Sequence, residues 1–121
     1  MRTVTDDSCE LLGEFFATLA HASRMRILCA LQRGPKTVTE IALRAEISIP
    51  NASQHLRFMR DRGAVIAQKR AQNVYYHVAD PRITSAMIMI HESLAERFQQ
   101  NAIRASVRPT GSSRRKVPQP A

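Results

Sequence analysis

A chain of 121 residues that is 44% hydrophobic and carries a formal charge of +8 holds enough apolar material for one core but not for two, so a single domain with tails is expected. Its apolar runs fall short of a membrane span or a signal-peptide core, and two cysteines cannot staple a scaffold. The expectation is a soluble protein of a reducing compartment, cytoplasmic and nucleoid-associated if it binds DNA.

Residues 1–6 read as a short disordered arm. A helix over residues 7–20 carries Leu11, Leu12, Phe15, Phe16 and Leu19. A second starts at Ser23, stops at Gly34-Pro35 and buries Ile27, Leu28 and Leu31. The third opens on a capping box, Thr37 with Glu40, and turns Val38, Ile41, Ala42 and Ala45 inward. After a short turn from Glu46, Ser48 caps a fourth helix that has Pro50 in its first turn and Gly63 as its stop.

At about 100° per residue, Ala52, Leu56 and Met59 share the inner side of that fourth helix, with His55 at its margin. Residues 64–69 and 74–79 alternate as strands around a basic tip, Lys69-Arg70-Ala71-Gln72-Asn73. Asp80-Pro81 then opens a last helix with an apolar stripe of Ile83, Met87, Ile90, Leu94 and Phe98, longer than one small core can use. Residues 101–121 hold Arg104, Arg108, Arg114, Arg115 and Lys116, no acid and three prolines. That composition predicts a disordered basic tail, either a non-specific DNA arm or a solubilising segment.

The expected architecture is therefore mostly α with a two-stranded β-wing, in the order helix, helix, helix, helix, strand, strand, helix over residues 7–100. Two capped helices followed by a basic hairpin read as a winged helix-turn-helix. The outer side of the fourth helix carries Pro50, Ser53, Gln54, Arg57 and Asp61, flanked by Asn51 and Arg60, with Ser48 at its head. Short polar side chains at a helix start, followed by arginines, suit a major groove: Gln and Asn pair bidentately with adenine, and proline touches a thymine methyl. Lys69, Arg70 and Gln72 at the wing tip suit phosphate or a minor groove. The competing readings are an ordinary solvated helix face and a basic protein that binds nucleic acid without sequence preference. An enzyme is set aside, since no Gly-rich phosphate loop, carboxylate pair or nucleophile-and-base set stands out and no cofactor is called for.

Three stretches, H-A-S-R-M-R-I-L-C-A-L, S-I-P-N-A-S-Q-H-L and N-V-Y-Y, together resemble the ArsR/SmtB family of bacterial winged-helix repressors over about residues 10–98. The resemblance implies a homodimer through the first and last helices, bound to an inverted-repeat operator in double-stranded DNA and released by an effector. By position, Pro50, Asn51, Ser53 and Gln54 match the family's base-reading residues, and Lys69, Arg70 and Gln72 its wing contacts.

Neither common metal site of that family has its ligands here: Thr37-Val38-Thr39 stand where a Cys-x-Cys pair would be, and His91-Glu92 stand alone on the last helix. No metal is expected, although a metal-responsive repressor stays the runner-up. Cys29, in I-L-C-A-L, matches the second-helix cysteine of the branch that responds to persulfides or oxidants. That branch pairs it with a last-helix cysteine, and residues 83–100 contain none. Cys9 is left as the partner, offset by roughly 8 Å along a helical hairpin at about 1.5 Å per residue, beyond the roughly 7 Å a disulfide spans. The alternative for Cys29 is a small buried apolar residue.

Overall fold

The computed structural model describes residues 3–107, which contain helices α1 (Asp6–Leu19), α2 (Ala22–Ala30), α3 (Val38–Ala45), α4 (Ile49–Asp61) and α5 (Pro81–Val107) and strands β1 (Val65–Arg70) and β2 (Asn73–Val78). The chain divides into two compact units between Ser85 and Ala86, inside α5. The first unit holds the core: Ile27, Leu28 and Leu31 from α2 and its end, Ile41, Ala42 and Ala45 from α3, Ala52, Leu56 and Met59 from α4, and Ala64 and Val65 where the wing begins. The winged helix-turn-helix order read from the sequence is the one found.

Local chemistry sets the boundaries. Thr5 caps α1 by accepting from the Ser8 N–H at 3.3 Å, and Asp6 and Asp7 sit in its first turn, where the helix dipole favours acids. α2 ends at Ala30, short of Gly34-Pro35. The Leu31 N–H is shared between the Ile27 and Leu28 carbonyls, and the Gln32 and Gly34 N–H groups reach back only three residues, so the segment tightens into turns. The capping box on α3 closes both ways: Thr37 Oγ1 accepts from the Glu40 N–H at 3.3 Å while Glu40 Oε1 accepts from the Thr37 N–H at 2.9 Å. These bonds, the backbone one foremost, hold the Glu40 carboxyl below its ordinary value.

α3 and α4 each end in the same six-residue motif. The Ile47 N–H reaches the Ala42 carbonyl at 3.1 Å and the Glu46 N–H that of Leu43 at 3.3 Å; the Ala64 and Gly63 N–H groups repeat this on Met59 and Arg60 at 2.8 and 3.0 Å. The motif needs one left-handed residue. Gly63 (φ +80°) supplies it after α4, whereas Glu46 (φ 58°, ψ 44°) supplies it after α3.

The wing strands pair antiparallel from Val65 opposite Val78 to Arg70 opposite Asn73, so Ala71 and Gln72 form the turn. A third, single-residue strand lies outside β2: Lys36 and Tyr76 exchange backbone hydrogen bonds of 3.0 and 2.8 Å. Asp80 opens α5 by accepting from the Arg82 N–H at 2.8 Å, and the Arg82 guanidinium forks onto both carboxylate oxygens. The side-chain fork, then the backbone bond, lowers the Asp80 carboxyl to about 2.

Leu11, Leu12 and Phe16 of α1 are exposed, and Thr18 is the buried residue of that helix, its hydroxyl donating to the Glu14 carbonyl at 3.1 Å. In the second unit Ile88, Met89, Ile90, Leu94 and Phe98 are all exposed. α5 runs past residue 100, to Val107; the rest of the basic tail and residues 1–2 lie outside the described residues.

Glu46 pairs a left-handed backbone with a negative charge at a helix C-terminus, and both are unfavourable. Glu46→Gly removes both, and is expected to raise stability by about 1 kcal/mol, read as a higher urea midpoint at unchanged slope.

Candidate nucleic-acid interface

The outer side of α4 is presented by its inner side. Ala52, Leu56 and Met59 are fully buried, and with about 100° per residue this turns Ser53, Gln54 and Arg57 to the opposite side, where all three are exposed. Ser48 fixes the start of the helix, its hydroxyl accepting from the Asn51 N–H at 3.2 Å, and Pro50 occupies a first-turn position whose missing N–H costs nothing. Ser48, Pro50, Asn51 and Arg60 are also exposed, Arg60 lying 4.0 Å from Asp61. The first two turns of α4 carry no acid, so their partial positive charge faces outward uncompensated.

Lys69, Arg70 and Gln72 are exposed at the far end of the wing. Successive residues of a strand point to opposite faces, so Lys69 lies on the face of Val65 and Ala67 and Arg70 on that of Ile66 and Gln68. The tip is cationic on both sides, as fits a ribbon edge entering a groove between two backbones. Ala71 holds φ 54° at the turn.

Three features of this unit escaped the sequence. The Lys36 and Tyr76 bridge ties the wing to the segment just before α3, so wing and helix pair share a frame. On the flank of α4, the Phe58 ring carries the Arg62 guanidinium at 3.8 Å and the Arg24 guanidinium of α2 at 4.3 Å. The His21 and His55 rings meet at 4.8 Å on the same flank. A four-residue spacing from Phe58 to Arg62 and an H-x-x-R pattern at 21–24 are the sequence traces of these contacts.

Cys9 and Cys29 are free thiols and both are exposed. For Cys29 this replaces the buried apolar role considered from the sequence. Among the described residues no group of three or more His, Cys, Asp or Glu side chains is placed to hold a metal ion.

Residues 21–67 match the family described as bacterial regulatory protein, arsR family. The chain is 30% identical over 95 residues to a Synechocystis protein described as a transcriptional repressor SmtB homolog, covering 78% of this chain and 69% of that one. A probable mercury resistance operon repressor of Streptomyces lividans is 36% identical over 83 residues, covering 69% of this chain and 66% of its own. The crystal structure of Mycobacterium tuberculosis Rv0081 superposes with a TM-score of 0.71 at 29% identity, over 81% of this chain and 99% of that one.

Substitutions at Gln54 and Arg70 test whether the outer side of α4 reads bases while the wing tip positions the backbone. Gln54→Ala is expected to cost about 1 to 3 kcal/mol at one base position per half-site, while Arg70→Ala weakens all duplexes alike and lowers the salt slope by about 1. Binding titrations on matched and mismatched duplexes at several salt concentrations check both; equal loss of specificity from the two variants would mean the roles are misassigned.

Proposed function

The chain belongs to the ArsR family of bacterial regulatory proteins, whose winged helix-turn-helix it carries entire, and we propose that it is a dimeric transcriptional repressor that reads an inverted-repeat operator and is released by modification of a thiol. The observation that carries the DNA reading is the joint exposure of the acid-free first turns of α4 and the cationic wing tip on one packed unit. In this reading Pro50, Asn51, Ser53 and Gln54 address base edges. Ser48, Arg57, Arg60, Lys69, Arg70 and Gln72 hold the backbone or line the groove.

Dimerisation is supported by apolar surface that the single chain leaves in water. Leu11, Leu12 and Phe16 on α1 and Ile88, Met89, Ile90, Leu94 and Phe98 on α5 are each at least 40% exposed, and large apolar side chains gathered on a helix rather than scattered singly mark an interaction surface. A second copy is the partner this family implies, and a two-fold dimer imposes a two-fold operator. The DNA partner is a duplex; the described helices include none long and apolar enough to cross a membrane.

The thiol part of the proposal rests on Cys29, exposed on α2 and so open to reagents. Modifying it would shift α2 against the α4 it supports and so change the spacing of two reading helices in a dimer, a bistable element that both sites bias. Cys9 is the second exposed thiol and the candidate for a bridge.

Selection of bound sequences from a random duplex pool is expected to return an inverted repeat, half-sites one helical turn or a small multiple apart. Enrichment of a single asymmetric half-site bound by a monomer would sink the dimeric reading. With the selected duplex, oxidant or polysulfide is expected to weaken binding, and Cys29→Ser to keep the affinity while losing the response. A Cys29→Ser protein that still released DNA on oxidation would remove this thiol from the mechanism.

A further inference from the structure

We propose that His21 and His55 form a proton-operated latch between the start of α2 and the recognition helix α4, closed while both rings are neutral and opened by acid. Its effect on DNA binding rests on the reading above; its effect on the fold does not.

The first support is the way His21 is used. It is the N-cap of α2, with extended backbone (φ −155°, ψ 130°), and its Nδ1 accepts from the Ser23 N–H at 3.1 Å. An imidazole nitrogen accepts only while it carries no proton, so the cap exists only for a neutral ring with its hydrogen on Nε2. A second proton would aim a donor at an N–H donor. It would also place a full positive charge on a helix start whose own dipole is already positive.

The second support is where the cap sits. The His55 ring of α4 lies 4.8 Å from the His21 ring, tilted by 50°. Arg24, one turn along α2, stacks its guanidinium on Phe58, one turn along α4 from His55, and Arg62 stacks on the same ring. Two rings that become cations, beside two fixed cations, make the α2–α4 seam a place where added protons repel one another. Among the described residues, the charged groups that act on His55 are His21 and Arg24, both from α2, while Glu14 of α1 lines a cleft with Arg62. Half-burial foremost, then His21 and Arg24, holds the His55 imidazole below its ordinary value of 6.5.

The sign follows from linkage. A base that is depressed in the folded chain contributes stability fully present above the unfolded value, near 6.5, and lost as the pH falls below it. Opening therefore costs the α2 cap and loosens the flank on which α4 is seated. The simplest competing effect has the opposite sign, since protonated histidines add positive charge and alone would tighten binding to DNA.

The test uses the full chain. Urea midpoints at pH 7.5 and 5.5 are compared for the native protein, for His21→Asn, which keeps a capping acceptor that does not titrate, and for His55→Gln. The native midpoint is expected to fall on acidification and each variant's to fall clearly less. An equal fall in native and variants overturns the latch, and if one variant does not fold at pH 7.5 the other decides.

In a second arm, a duplex selected from a random pool at pH 7.5 is titrated at both pH values. Native affinity is expected to fall at least about fivefold further than that of His21→Asn, the low end of ordinary coupling between a switch and a site. A native affinity that rises in acid, or falls no further than the variant's, overturns the coupling to DNA even where the midpoints respond.

Discussion

The interface depends on the burial of Ala52, Leu56 and Met59, the inner stripe of α4, none of which retains solvent exposure. A helix of 13 residues is marginal by itself in water, so its capping groups cannot hold it. Burial of Leu56 and Met59 contributes about 1.5 to 3 kcal/mol each, against about 1 kcal/mol for the Ser48 cap. Packing wins, and it also sets the rotation of the helix: with three inner positions fixed, the outward bearing of Gln54 and Arg57 follows without any interaction of their own. The polar outer side is thus free of structural duty.

The same economy governs the wing. Its strands contribute little to the core beyond Val65 and the adjoining Ala64, and a two-stranded ribbon is marginal alone. What holds it is the pair of backbone bonds between Lys36 and Tyr76 together with the Ala79 N–H bond to Ala64 at 3.0 Å. Since Thr37 is the next residue and caps α3, the wing, the first helix of the pair and, through the Glu46 turn, α4 form one chain of short connections. Cations at the wing tip are thereby carried at a fixed distance from the outer side of α4, as the proposed contact with a groove and its backbone requires.

What the sequence discloses is what is local. The capping box at Thr37, the cap at Ser48 and the left-handed stop at Gly63 each depend on residues within six positions, and each is found where the sequence places it. The inner stripe of α4 follows from periodicity alone. The Lys36 bridge is a single residue with no alternation to announce it, and its partner lies forty positions away. The early end of α2 was hidden because Leu31 is buried like a helical core residue although it lies in the turn that follows. The run of α5 to Val107 was masked by charge: Asn101, Ala102 and Arg104 are ordinary helix residues that a basic composition made look unstructured.

The exposed apolar side chains tie these local facts to function. A chain whose core draws mainly on α2, α3 and α4 has spent its apolar residues unevenly, with the first and last helices keeping large ones in water. A solvated Leu or Phe is ordinary when single and costly as a row, which is the observation behind the proposed dimer through α1 and α5. In that dimer, the distance between two reading helices is set by helices that carry no reading residue. Any event that alters the seat of α4, a modified thiol on α2 or a proton at its cap, would then act on the proposed reading side without touching a base. The outer side of α4 then needs no part in the proposed regulation, because the flank of α4 that faces α2, where Phe58, Arg24, Arg62, His21 and His55 meet, lies apart from it.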